Sequence, residues 1–168
     1  MKRTHALFAS LALVAMLGLA APLLTSAHES RNVDNGKYHV VVGWLNEPAY
    51  TGFLNSVDLT VTQNTGAPAT PSATPTSDEN STGTPVTGLE DTLKVDIIFN
   101  DKTMNLPISP AWQQPGHYVG YVIPTQAGDY SFHVYGAING DKIDETFTSG
   151  PDTFGTVIDA KTIMFPQP

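Results

Sequence analysis

Four histidines follow Ala27 in this chain: His28, His39, His117 and His133. Imidazole is the commonest metal ligand among side chains and the one whose charge ordinarily changes near neutral pH. His28 has an additional capacity if residues 1–27 are removed on export. Its α-amine and ring would then chelate Cu(II) together, and one more imidazole would extend the planar nitrogen set that this ion favours. Only a histidine at a true amino terminus can do this. Tyr130, Phe132 and Val134 alternate with Ser131, His133 and Tyr135, so one set faces a core and the other faces out. That pattern makes His133 the expected exposed partner of His28, with His117 the second candidate and His39 left open. The metal-ligand expectation is therefore His28, His133 and His117, with Cu(II) as the cofactor and no catalytic residue. The ordinary alternative is that histidines on strands are rim residues satisfied by water.

Other chemistries find less support. His28-Glu29 begins like the zinc-protease signature, but Asn32 stands where its second histidine belongs. No nucleophile elbow, phosphate-cradling glycine loop or dinucleotide fingerprint occurs, and the chain reads as a non-enzyme. Asp144-Glu145 and Asp78-Glu79 are paired carboxylates without the apolar surroundings that acid–base work requires, and are read as solvated charge. Asn139, Asp141 and Asp144 depart from calcium-loop spacing, and the turn explains Asn139-Gly140-Asp141 by itself. Trp44, Trp112, Tyr50 and Phe53 lie near strand ends, where packing over the end of a sandwich is the expectation. Glu47, before Pro48, is a candidate for a polar contact in a turn.

The first residues give the address. A basic start, Lys2-Arg3, an apolar stretch from Ala6 to Leu24 and the small residues Thr25-Ser26-Ala27 have the order of a secretory signal peptide. Cleavage is expected after Ala27, with Ala20 and Ala21 as alternatives. The product would lie in the periplasm, at the cell surface or outside the cell, with no membrane span after cleavage. Removing residues 1–27 takes away Lys2 and Arg3 and leaves six Lys and Arg against sixteen Asp and Glu, a formal charge of −10. Such an acidic surface repels phosphate backbones, so nucleic acid is not an expected partner. With no cysteine, neither disulfides nor thiolate ligation can contribute.

The elements that must position the histidines are strands. β-Branched and aromatic runs lie at 37–45, 57–61, 92–99, 103–108, 117–123, 130–138 and 142–148, with a shorter one at 156–158. Asn100-Asp101 and Asn139-Gly140 fall where hairpin turns are needed. This spacing predicts an all-β protein, an immunoglobulin-like antiparallel β-sandwich of about seven or eight strands forming a single domain over 28–168. Between Thr62 and Gly88 the chain turns to Pro, Thr, Ser, Gly and Asn, with Val86 its one aliphatic β-branched residue. Such a composition predicts a long disordered loop at 62–88 inserted into the domain.

The Ala27-His28-Glu29 junction, the segment from Val42 to Tyr50 with Asn55, the stretches Pro115-Gly116-His117-Tyr118 and Gly128-Asp129-Tyr130-Ser131-Phe132, and Asp144 to Phe147 together resemble a family of small secreted bacterial proteins. The resemblance spans 28–168 apart from the 62–88 loop and implies an extracytoplasmic immunoglobulin-like sandwich. More distantly, the architecture is similar to the copper-handling CopC-like and YtkA-like domains. Mature CopC-like chains begin with a copper-ligating histidine, which His28 matches, whereas their Asp-Gly-His motif and a methionine-rich loop are missing here. Two readings follow: an extracytoplasmic copper-handling module, or a structural or protein-interaction sandwich with an unknown protein partner and no metal chemistry.

Overall fold

Alternation of buried apolar and outward polar side chains runs through most of the longer strands, and the chain answers it by stacking two antiparallel sheets. The structure is a computed structural model that describes residues 27–65 and 83–167. Its strands are β1 (His28–Val33), β2 (Tyr38–Trp44), β3 (Asn55–Gln63), β4 (Thr84–Pro85), β5 (Leu93–Phe99), β6 (Lys102–Leu106), β7 (Ser109–Pro110), β8 (His117–Val122), β9 (Ser131–Ile138) and β10 (Asp141–Thr148). One sheet has the order β1-β2-β3-β8-β7, with β4 added beside β3, and the other has the order β10-β9-β5-β6. The all-β sandwich expected from the periodicity is what forms. No helix among the described residues is long and apolar enough to cross a membrane.

The inner faces supply the core. Val40, Val42 and Trp44 of β2, with Val57, Leu59 and Val61 of β3, meet Val95 of β5, Phe132 and Val134 of β9 and Phe147 of β10. Trp44 sets its edge against Phe132, with centroids 4.9 Å apart, and its indole N–H donates to the Gly155 carbonyl at 3.1 Å. That bond satisfies the one polar atom of a side chain otherwise fully removed from water. Trp44 is therefore core, as expected for the strand-end aromatics, but Phe53 and Trp112 are 54% and 84% exposed and do not pack as a lid.

β1 was not anticipated as a strand, because Glu29, Ser30, Arg31 and Asn32 carry no β-branched signal. Tertiary contacts hold it: Arg31 lies over the Phe147 ring and bonds both Glu29 and Glu145, the latter on the opposite sheet at 3.1 Å. Glu145 is thus paired, not merely solvated. At 156–158 the expected strand reduces to isolated bridges, Val157 with Gly128 and Ile158 with Tyr50.

The boundaries of the expected disordered loop are also corrected. Thr62 and Gln63 complete β3 and pair with Pro85 and Thr84. Val86 is 6% exposed in the core, and its carbonyl accepts the Tyr118 hydroxyl at 2.8 Å. Composition misled here because a single Val among polar neighbours is enough to plug a gap between two sheets. Residues 66–82, with Asp78-Glu79, lie outside the described residues, as do residues 1–26 with the expected signal peptide.

Candidate functional site

Register places His28 opposite Gly43, and Gly43 opposite Asp58, so the three form one row across β1, β2 and β3. All three project from the face turned away from the core. A Cβ added to Gly43 would come within 2.6 Å of His28 Cδ2 and 2.7 Å of the Ala27 carbonyl oxygen. The missing side chain therefore lets the His28 ring cross over β2 and reach Asp58 two strands away. His28 Nε2 lies 2.9 Å from Asp58 Oδ2.

His117 arrives from the other side. It opens β8 opposite Thr60, diagonal to Asp58 on the same face, and its Nε2 hydrogen-bonds the second carboxylate oxygen, Oδ1. The turn before it fixes its approach: His117 N–H donates to the Gln114 carbonyl at 3.1 Å, and the Gln114 side-chain oxygen contacts Nδ1 of the ring. Each Asp58 oxygen thus serves one imidazole. Burial opposes ionisation of Asp58, but hydrogen bonds from His117 and His28, and then their charges, outweigh it and hold the carboxyl at about 2, below its ordinary 3.8. The Asp58 side chain is only 16% exposed and both rings are partly covered.

Glu47 stands on the rim. Desolvation raises its pKa, while the Gly155 N–H, 3.1 Å from Oε1, and the charge of His28 oppose the rise. It makes the polar turn contact expected from the sequence. Its neighbour Asn46 is clamped by buried Asn55, whose side-chain amide accepts from the Asn46 N–H at 3.0 Å and donates to the Asn46 carbonyl at 2.9 Å.

The remaining histidines lie elsewhere. His39 shares the outer face with His28 but sits two rows down β2, where its Nδ1 meets Asn32 Oδ1 at 3.1 Å. Desolvation lowers its pKa. His133 projects outward from β9, as the alternation predicts, but on the other sheet, so the whole core separates it from His28. There its Nε2 lies 2.8 Å from Asp144 Oδ1 and its ring stacks on Tyr135, with centroids 4.6 Å apart. Among the three expected metal ligands, His28 and His117 are brought together and His133 is not. Asn139, Asp141 and Asp144 do not converge either: Asp141 accepts from Tyr38 at 2.7 Å and pairs with Lys37, while Asp144 points from the opposite face of β10.

Asp58 was not singled out in the sequence, although two signals existed. It is the lone carboxylate on the wet face of a strongly alternating strand, and Gly43 is an isolated glycine inside a β-branched run, a mark of close approach by another group. Among the described residues, no three or more His, Cys, Asp or Glu side chains are arranged to hold a metal ion. No family model matches the chain, and no curated protein matches it significantly. Fold and site together define a two-sheet β-sandwich with a His–Asp–His cluster laid across one outer face.

Proposed function

We propose that the protein is an extracytoplasmic Cu(II)-handling module whose site is built on His28. One observation carries the reading: two imidazoles from distant strands, His28 and His117, converge on a single carboxylate, in a row that only a glycine at 43 permits. Cleavage after Ala27 would add the α-amine of His28. The donor set then consists of one main-chain amine and two imidazoles, hence two side chains rather than three. Nitrogen donors of this kind suit Cu(II), and the carboxylate beside them offsets the charge of the ion. His117 would exchange its contact with Asp58 or Gln114 for the metal.

The test is copper titration of protein beginning at His28 against protein carrying one extra residue before it. Extension removes the amine from the chelate ring while leaving every side chain in place. A loss of two or more orders of magnitude in affinity is expected. Equal affinities would leave the second reading, a structural or interaction sandwich, which the exposed side chains Trp112 and Tyr121 favour, being 84% and 62% exposed.

A further inference from the structure

We infer that one end of the sandwich is a membrane-docking surface, whose loop tips insert shallowly into the interface of a zwitterionic phospholipid bilayer. It stands apart from the copper reading and concerns other residues. Most of the large apolar side chains exposed among the described residues gather there: Phe53, Leu54, Ile123, Ile163, Met164 and Phe165. They come from three segments that the fold ties together. Register sets the chain before β3 beside the chain after β8, Asn55 facing Val122, and Gly52 N–H donates to the Pro124 carbonyl at 2.8 Å. Thr51 joins the third segment, its N–H donating to the Ile158 carbonyl at 2.9 Å and its hydroxyl accepting the Ala160 N–H at 3.0 Å. A 3₁₀ turn at Ala160–Ile163 then leads into Met164 and Phe165.

Apolar side chains exposed as a group, and not singly, mark interaction sites. Shape and charge say which kind. Phe165 is 96% exposed and Leu54 63%, so these side chains stand clear of their neighbours and wall no groove. A rigid protein partner needs a matching hollow for each, whereas lipid closes around separate projections. Segments 48–57, 121–128 and 160–167 contain no Asp or Glu, although residues 28–168 carry a formal charge of −10, and their one charged residue is Lys161. The carboxylates that flank them are engaged: Glu47 accepts the Gly155 N–H, Asp58 meets His28 and His117, Asp129 accepts the Ser149 hydroxyl and Asp159 accepts the Lys161 N–H. An apolar tip with one lysine suits a net-neutral headgroup layer, where the Lys161 ammonium meets a lipid phosphate, while an anionic membrane repels the acidic remainder. Insertion also requires that backbone donors at the tips not be left bare. Thr51 and Gly52 N–H are bonded within the fold, Met164 N–H donates to the Lys161 carbonyl at 3.3 Å, and Pro124 and Pro166 have no N–H.

The test is co-sedimentation with phosphatidylcholine vesicles, using metal-free protein beginning at His28, which keeps both sheets and the described core. Binding is expected, insensitive to added salt and reduced when phosphatidylglycerol is mixed in. Leu54→Ser and Phe165→Ser should each lower the partition coefficient about tenfold. Both variants should fold normally, because both side chains already lie in water. Trp112→Ser is the control: Trp112 is more exposed than Leu54 but precedes His117, at the opposite end of the β3–β8 pair, and its loss should change nothing. No partition of the wild type, binding only to anionic vesicles, or a loss in Trp112→Ser equal to that in Phe165→Ser would each overturn the assignment. So would a dimer in sedimentation velocity that Phe165→Ser disperses, which would give the patch to a second copy of the chain.

Discussion

Gly43 lies directly beneath the His28 ring: the two are cross-strand partners, and a Cβ at 43 would meet His28 Cδ2 at 2.6 Å. The φ of Gly43 is not in the left-handed region, so its requirement is for space and not for backbone freedom. Gly43→Ala should therefore displace the end of β1, costing about 1–3 kcal/mol as overpacking does. Chemical denaturation measures the cost, and amide exchange should show earlier opening at residues 28–30. An alanine variant with wild-type stability and exchange would mean the ring does not lie where the register puts it.

Asp58 gives a pH dependence with a definite sign. Its folded pKa, about 2, is below the ordinary value near 3.8, so its stabilising contribution is fully present above pH 4 and is lost as pH falls from 4 to 2. The size is roughly 2 kcal/mol. Asp58→Asn should lower stability at pH 6 and flatten the acid limb over that window. Urea midpoints measured from pH 6 to 2 on both proteins check this. Parallel limbs in the two proteins would refute it.

Protonation charges His39 where it neutralises Asp58, yet the direction in stability is the same. Burial lowers its folded pKa below the ordinary 6.5, so the folded state resists protonation and stability falls as pH drops below 6.5. His39→Gln, which keeps an amide near Asn32, should remove that part of the slope as pH falls below 6.5. Because the Asp58 window lies lower, the two effects separate on one titration series.

His117 and His133 form a matched pair of controls for copper. His117→Ala should weaken Cu(II) binding markedly, since it removes the imidazole that shares Asp58 with His28. His133→Ala should leave affinity unchanged, since His133 and Asp144 occupy the outer face of the other sheet. Calorimetric titration of the two variants decides between them, and a loss confined to His133→Ala would reverse the assignment.

Val86 tests the corrected edge of the polar insertion. Truncation to Ala removes two methyl groups from a core position and should cost about 2 kcal/mol. Thr87→Ala, one residue on and exposed, should cost little. Equal, small effects would return Val86 to the solvated loop.

Local pattern alone determined most of the sheet structure. The alternation of Val57, Leu59 and Val61 with Asp58 and Thr60, or of Phe132 and Val134 with Ser131 and His133, states which side chains are buried whatever the partner strand is, because the side-chain period of a strand is two. The same rule turned His133 outward correctly and said nothing of which outer face it would occupy. That depends on strand order, a property of long-range pairing: β9 lies between β10 and β5, while β1, β2, β3 and β8 share the other sheet. β1 escaped detection for a related reason, since Arg31 is held by Glu145 and Phe147, residues more than a hundred positions away. The site itself is wholly a tertiary product. Residues 28, 58 and 117 meet because register aligns His28, Gly43 and Asp58 in one row and because the Gln114–His117 turn delivers a second ring diagonally to the same carboxylate. A one-residue slip in either pairing would turn Asp58 or His28 into the core, and no property of the residues taken singly reveals the register that prevents it.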